Sequence, residues 1–148
     1  MDWKICTWKR NQGLKMGDRS ADVIRLVCKE LPGIISIYRF GSWGTPHVRP
    51  DSDIDLAVLL QNPVDRVHLW DIAQNIAREM GKDVDLIDLL QTSTVMQMQV
   101  ISSGKRLYCR ELAGCERFED YVYVAYARLN EERRGILEDI KQRGTVYG

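Results

Sequence analysis

Two hydrophobic periods alternate along the chain. From Asp18, which can serve as an N-cap, apolar residues recur at Val23, Leu26, Val27 and Leu31 with helical spacing, and the pattern stops at Pro32-Gly33. The next residues, 34–40 (IISIYRF), are β-branched and aromatic and run straight into Gly41, which predicts a buried strand. Residues 53–60 (DIDLAVLL) set Ile54, Leu56, Val58 and Leu60 against Asp53, Asp55, Ala57 and Leu59, a second strand with both aspartates on one face. Pro63 suits the first turn of a helix whose apolar side is Leu69, Ile72, Ala73, Ile76 and Met80, ending at Gly81.

The same alternation continues to the C-terminus. Residues 83–89 (DVDLIDL) read as a third strand, and Thr92 or Ser93 caps a helix that runs through Ile101 and stops near Gly104. Residues 105–110 (KRLYCR) predict a short edge strand. A long helix follows over 115–143, with Tyr121, Val124, Ala125, Leu129, Ile136, Leu137 and Ile140 as its apolar stripe. Interleaved helices and strands make this an α/β (α+β) chain with a small mixed sheet.

Composition narrows the classes. A chain of 148 residues is of single-domain size. Residues 1–15 match neither period and read as an N-terminal arm, leaving 16–148 as the domain. Equal numbers of Lys+Arg and Asp+Glu, 21 of each, argue against a polyanion binder held by phosphate contacts, so no direct nucleic-acid binding is expected. The four cysteines have no CxxC or Cys/His spacing for zinc and read as free thiols. No apolar run has the length of a signal peptide or a membrane span, so the expected setting is the cytoplasm.

One constellation carries chemistry: Gly41-Ser42, ten intervening residues, then Asp53-Ile54-Asp55. The Gly-Ser closes one predicted strand and the Asp-x-Asp opens the next, so the group sits at strand ends. Two carboxylates on one strand face repel unless a cation neutralises them, and Mg²⁺ takes hard oxygen ligands from one or two carboxylates plus substrate phosphates. Gly41 lets backbone approach a phosphate, and Ser42 can donate its hydroxyl and N–H to a triphosphate oxygen. An EF-hand through Asp51, Asp53 and Asp55 fails, because its sixth position would be Leu56 and its twelfth Asn62. A third carboxylate is expected on the neighbouring strand, to share a metal or accept a proton. Asp83 and Asp85 share the appropriate face and Asp88 points to the other, which leaves two candidates.

The segments GSWGTPHVRPDSDIDLAVLL and DVDLIDL resemble the minimal nucleotidyltransferases of the DNA polymerase β superfamily. With the tail NEERRGILEDIKQRG, the chain more closely resembles the MntA antitoxins of type VII HEPN/MNT toxin–antitoxin pairs, over residues 17–148. The resemblance implies a nucleotidyltransferase fold and an Mg²⁺-dependent transfer of AMP from ATP to a tyrosine of a partner HEPN RNase, neutralising it. Matched residue by residue, Gly41 and Ser42 take the nucleotide-binding positions, and Asp53, Asp55 and Asp85 the catalytic and metal positions. The HEPN motif Arg-x4-His is absent, His47 and His68 being the only histidines, so this chain would be the antidote. Trp43 stands where many relatives carry an arginine, and Arg39 or Arg49 is left to meet the triphosphate charge. Two other readings are a binding-only antitoxin that caps its toxin sterically, and a nucleotidyltransferase acting on a small-molecule hydroxyl such as an aminoglycoside.

Overall fold

The computed structural model describes residues 20–41 and 53–143. The expected N-terminal arm, the Asp18 cap, Ser42, Trp43 and Arg49 therefore lie outside the described residues. The elements are α1 (Ser20–Glu30), β1 (Ile34–Phe40), β2 (Ile54–Leu60), α2 (Arg66–Met80), β3 (Val84–Asp88), a 3-10 turn (Leu89–Gln91), α3 (Thr94–Ser103), β4 (Lys105–Cys109) and α4 (Leu112–Arg143). Their order is the one the hydrophobic periods predict.

The strands form a mixed sheet in the order β3-β2-β1-β4. β1 is antiparallel to β2 and β4, while β2 and β3 are parallel, with α2 as their crossover. Alternation along the strands sends side chains to two cores. On one face Ile54, Leu56, Val58, Val84 and Leu86 pack against Val23, Ile24 and Val27 of α1 and Leu69, Ile72 and Ile76 of α2. On the other, Tyr38, Ala57 and Leu59 pack with Val100 of α3 and Phe118 of α4. β2 is thus buried on both faces beyond Asp55, as befits an inner strand of a small sheet.

Local chemistry sets the boundaries. Helix α2 is capped by Asp65, whose carboxylate accepts from the His68 N–H at 3.2 Å, so Pro63 lies ahead of the helix and not in its first turn. Its end is Gly81 in the left-handed conformation, φ 70°. Between Thr92 and Ser93, the cap of α3 is Ser93, whose hydroxyl accepts from Met96 N–H.

The long helix departs from the stripe expected of it. Tyr121, Val124, Ile136 and Leu137 are exposed, and the buried residues of α4 are Cys115 and Val122. The packed phase runs through Cys115, Phe118 and Val122, one helical turn at a time. At 32 residues α4 spans about 48 Å and outruns a four-stranded sheet, so burial is confined to its N-terminal half. That half is tied down by Glu119, which accepts from the Tyr38 hydroxyl at 2.8 Å and pairs with Arg106 at 2.6 Å. Cys109 and Cys115 are free thiols with their sulfurs in contact at 2.7 Å. Burial, then contact with Cys109, pushes the Cys115 thiol up to about 12. Among the described residues no helix is long and apolar enough to cross a membrane.

Candidate active site

Register brings the sequence-predicted carboxylates together. In the parallel ladder Ile54 pairs with Val84 and Asp55 with Asp85, so Asp55 and Asp85 stand side by side on adjacent strands. Asp53 precedes β2 by one residue on the same side. All three lie at the N-terminal ends of the parallel strands, on the face that α3 and α4 cover further along. Ala57, Leu59 and Ile87 continue those same faces into the core, so the carboxylates are the points where it opens to solvent.

The electrostatics follow from that crowding. The Asp55 carboxyl is held above the ordinary carboxylate range, first by partial burial and then by the charges of Asp85 and Asp53. Asp53 and Asp85 are exposed while Asp55 is half-buried, which makes Asp55 the residue that bears the strain of the cluster. Of the two candidates that strand parity leaves open on β3, Asp85 lies opposite Asp55 and acts on it. Asp83 sits before the strand, and its carbonyl accepts the Ile54 N–H at 2.8 Å. Asp88 points to the opposite face, where it is buried and accepts from Val64 N–H, Leu90 N–H and the Gln91 side chain. It fastens the start of α2 to the end of β3.

Gly41 completes the described part of the group. Phe40 pairs with Asp55, and directly after it Gly41 takes φ 75°, turning the chain out of the sheet beside the cluster. A Cβ at Gly41 would collide with the Asp55 carboxylate. Glycine is therefore required twice here, for the left-handed backbone and for the missing side chain. Ser42 lies outside the described residues.

The donor set suits a hard divalent cation: carboxylate oxygens whose mutual repulsion such an ion would relieve. Among the described residues no three His, Cys, Asp or Glu side chains converge into a ready-made metal cage.

The sequence reading did not single out a groove of about 430 Å³ along the outer edge of β3, with Asp85 in its lining. Its signal is Trp70, an aromatic residue off the apolar stripe of α2 and 62% exposed.

Comparison with known proteins agrees with this geometry. Residues 23–112 match the family model described as "Polymerase beta, Nucleotidyltransferase". Over 118 residues, 80% of this chain and 84% of the relative, the sequence is 36% identical to the protein adenylyltransferase MntA of Shewanella oneidensis. A crystal structure of a toxin–antitoxin with AMP-PNP superposes with a TM-score of 0.73 at 33% identity, covering 85% of this chain and 99% of that one. The structure of a tri-AMPylated Shewanella oneidensis HEPN toxin in complex with its MNT antitoxin matches with a TM-score of 0.70 at 34% identity, over 83% and 96% of the two chains.

Proposed function

The chain belongs to the polymerase β nucleotidyltransferase family, and from that premise we propose that it is a protein adenylyltransferase, the antitoxin that transfers AMP from ATP to a tyrosine of a partner HEPN-family RNase. The observation that carries this reading is the juxtaposition of Asp55 and Asp85 across β2 and β3, with Asp53 and the Gly41 turn beside them.

The chemistry is an in-line displacement at the α-phosphorus of ATP. The tyrosine oxygen forms a bond to phosphorus, the bond to the bridging oxygen breaks, and pyrophosphate leaves with that electron pair. Asp85, exposed on the neighbouring strand, would take the hydroxyl proton. Asp53 and Asp55, with Asp85, would hold Mg²⁺, which when bound supplies charge neutralisation for the phosphates. The Gly41 turn admits the triphosphate close to the backbone, and Ser42, next in the chain, is assigned a donor role toward it. The cytoplasm, where ATP is available, is the proposed setting.

Intact-mass spectrometry of the HEPN partner tests the reading, after incubation with this protein, ATP and Mg²⁺. One or more added AMP masses are expected, and none with the Asp53→Asn/Asp55→Asn variant. An unmodified partner held in a stable complex would overturn enzymatic transfer in favour of steric capping.

A further inference from the structure

β3 ends the sheet, and its outer edge is unpaired among the described residues. Ile54 N–H donates to the Asp83 carbonyl at 2.8 Å, and in a parallel ladder alternate residues bond the same neighbour. Residues 83, 85 and 87 therefore direct their backbone groups toward β2, and Val84 and Leu86 direct theirs outward. That edge, unpaired among the described residues, lies along the groove of about 430 Å³, walled on the α2 side by Leu69, Trp70 and Ala73, with Gln91 also in its lining. Proteins commonly blunt an open edge by keeping it short or with charge, proline or a bulge; β3 (VDLID) is five residues long and carries Asp85 and Asp88, but it has no lysine or proline, Asp88 is buried, and its register with β2 is unbroken.

We infer that this groove receives an extended segment of the protein substrate, added to β3 as a further strand, which presents the acceptor tyrosine to Asp85. The inference rests on the adenylyltransferase reading above and identifies how its protein substrate is held. Only an extended polypeptide offers N–H and C=O groups in the alternation that Val84 and Leu86 require. Neighbouring strands lie about 4.8 Å apart, so a residue docked opposite Asp85 has its side chain within reach of that carboxylate and of Asp55 behind it. Backbone pairing holds the segment without regard to its sequence, while the exposed Trp70 ring supplies a flat apolar contact for one of its side chains. The position of Asp85 explains the coupling. It belongs both to the carboxylate cluster and to the groove lining, so docking and proton acceptance share one residue.

The test uses the full chain, ATP, Mg²⁺ and the HEPN-family toxin of the proposed pair. Hydrogen exchange is followed over residues 84–88, and AMP transfer is measured for the wild type, Trp70→Ala and Gln74→Arg. Trp70 is exposed and Gln74 half-buried in the groove wall, so both variants are expected to fold, as thermal unfolding would verify. The expected result is slowed exchange at Val84 and Leu86 in the complex, with KM for the toxin raised about tenfold in each variant and the Kd for ATP unchanged. Unaltered exchange over 84–88 together with wild-type KM in both variants would overturn the docked strand and leave adenylyl transfer standing. Failure of the wild type to transfer AMP at all would instead overturn the adenylyltransferase reading, and with it delivery of the tyrosine to Asp85.

Discussion

Gly41 and Asp55 are so closely apposed that the first carbon of any side chain at position 41 would strike the Asp55 carboxylate. With φ at 75°, Gly41→Ala also forces a non-glycine residue into the left-handed region, at about 1–2 kcal/mol. Thermal unfolding should show that loss of stability. Transfer should fall further than the stability loss explains, because Asp55 is displaced; a variant that folds and transfers at the wild-type rate would refute this role for Gly41.

Asp55 should trade stability for activity. Its carboxyl is raised in the folded state by burial and by Asp85 and Asp53, so folding favours its protonated form. The resulting stability is present below the ordinary carboxylate range and is lost as pH rises through the raised value, so at neutral pH the ionised group opposes folding. Asp55→Asn should therefore raise Tm at pH 7 while lowering AMP transfer by about a hundredfold or more, and the Tm gain should vanish in acid. Differential scanning calorimetry at a series of pH values measures the first effect and intact mass the second.

A divalent cation should reverse the same repulsion. Adding Mg²⁺ with a non-hydrolysable ATP analogue is expected to raise the Tm of the wild type and to have a much smaller effect on Asp53→Asn/Asp55→Asn. An equal shift in both proteins would show that the carboxylates do not hold the ion.

Asp88 belongs to the fold and not to the chemistry. Its carboxylate accepts from Val64 N–H at 3.1 Å, Leu90 N–H at 3.0 Å and Gln91 Nε2 at 2.8 Å. Asp88→Ala leaves these donors without that acceptor and should cost about 2–3 kcal/mol in chemical denaturation. At temperatures where the variant stays folded, the KM for ATP should be unchanged.

Glu119 plays a similar part on the opposite face. It accepts from the buried Tyr38 hydroxyl and pairs with Arg106, joining α4 to β1 and β4. Burial, then the Glu119 hydrogen bond, drives the Tyr38 hydroxyl well above its ordinary value, so it should not ionise below the pH of alkaline unfolding. Glu119→Ala should cost about 2 kcal/mol, and in combination with Tyr38→Phe less than the sum of the two.

Much of this was legible along the chain because the signals are local. The β-branched and aromatic run at 34–40, the strand patterns at 53–60 and 83–89, the helical stripe from Leu69 to Met80, and the stops at Gly81 and Gly104 each depend on residues within a turn or two of one another. Asp53 and Asp55 belong to the same class, since two residues apart on a strand means one face whatever the surroundings. Strand parity could not separate Asp83 from Asp85, and the stripe of α4 misled. Tyr121, Val124, Ile136 and Leu137 have helical spacing, yet which side of a helix is buried depends on where its neighbours end.

The amino-acid sequence by itself determined the order of elements, the glycine at the end of β1 and the acidic pair at the start of β2, because spacing and residue type are properties of the chain alone. Tertiary structure decided what register and sheet order create: Asp85 opposite Asp55, the packed phase of α4, and β3 as the outermost described strand, beside Trp70. Those relations join residues tens of positions apart. No local pattern contains them until hydrogen bonding between strands sets which residues stand side by side.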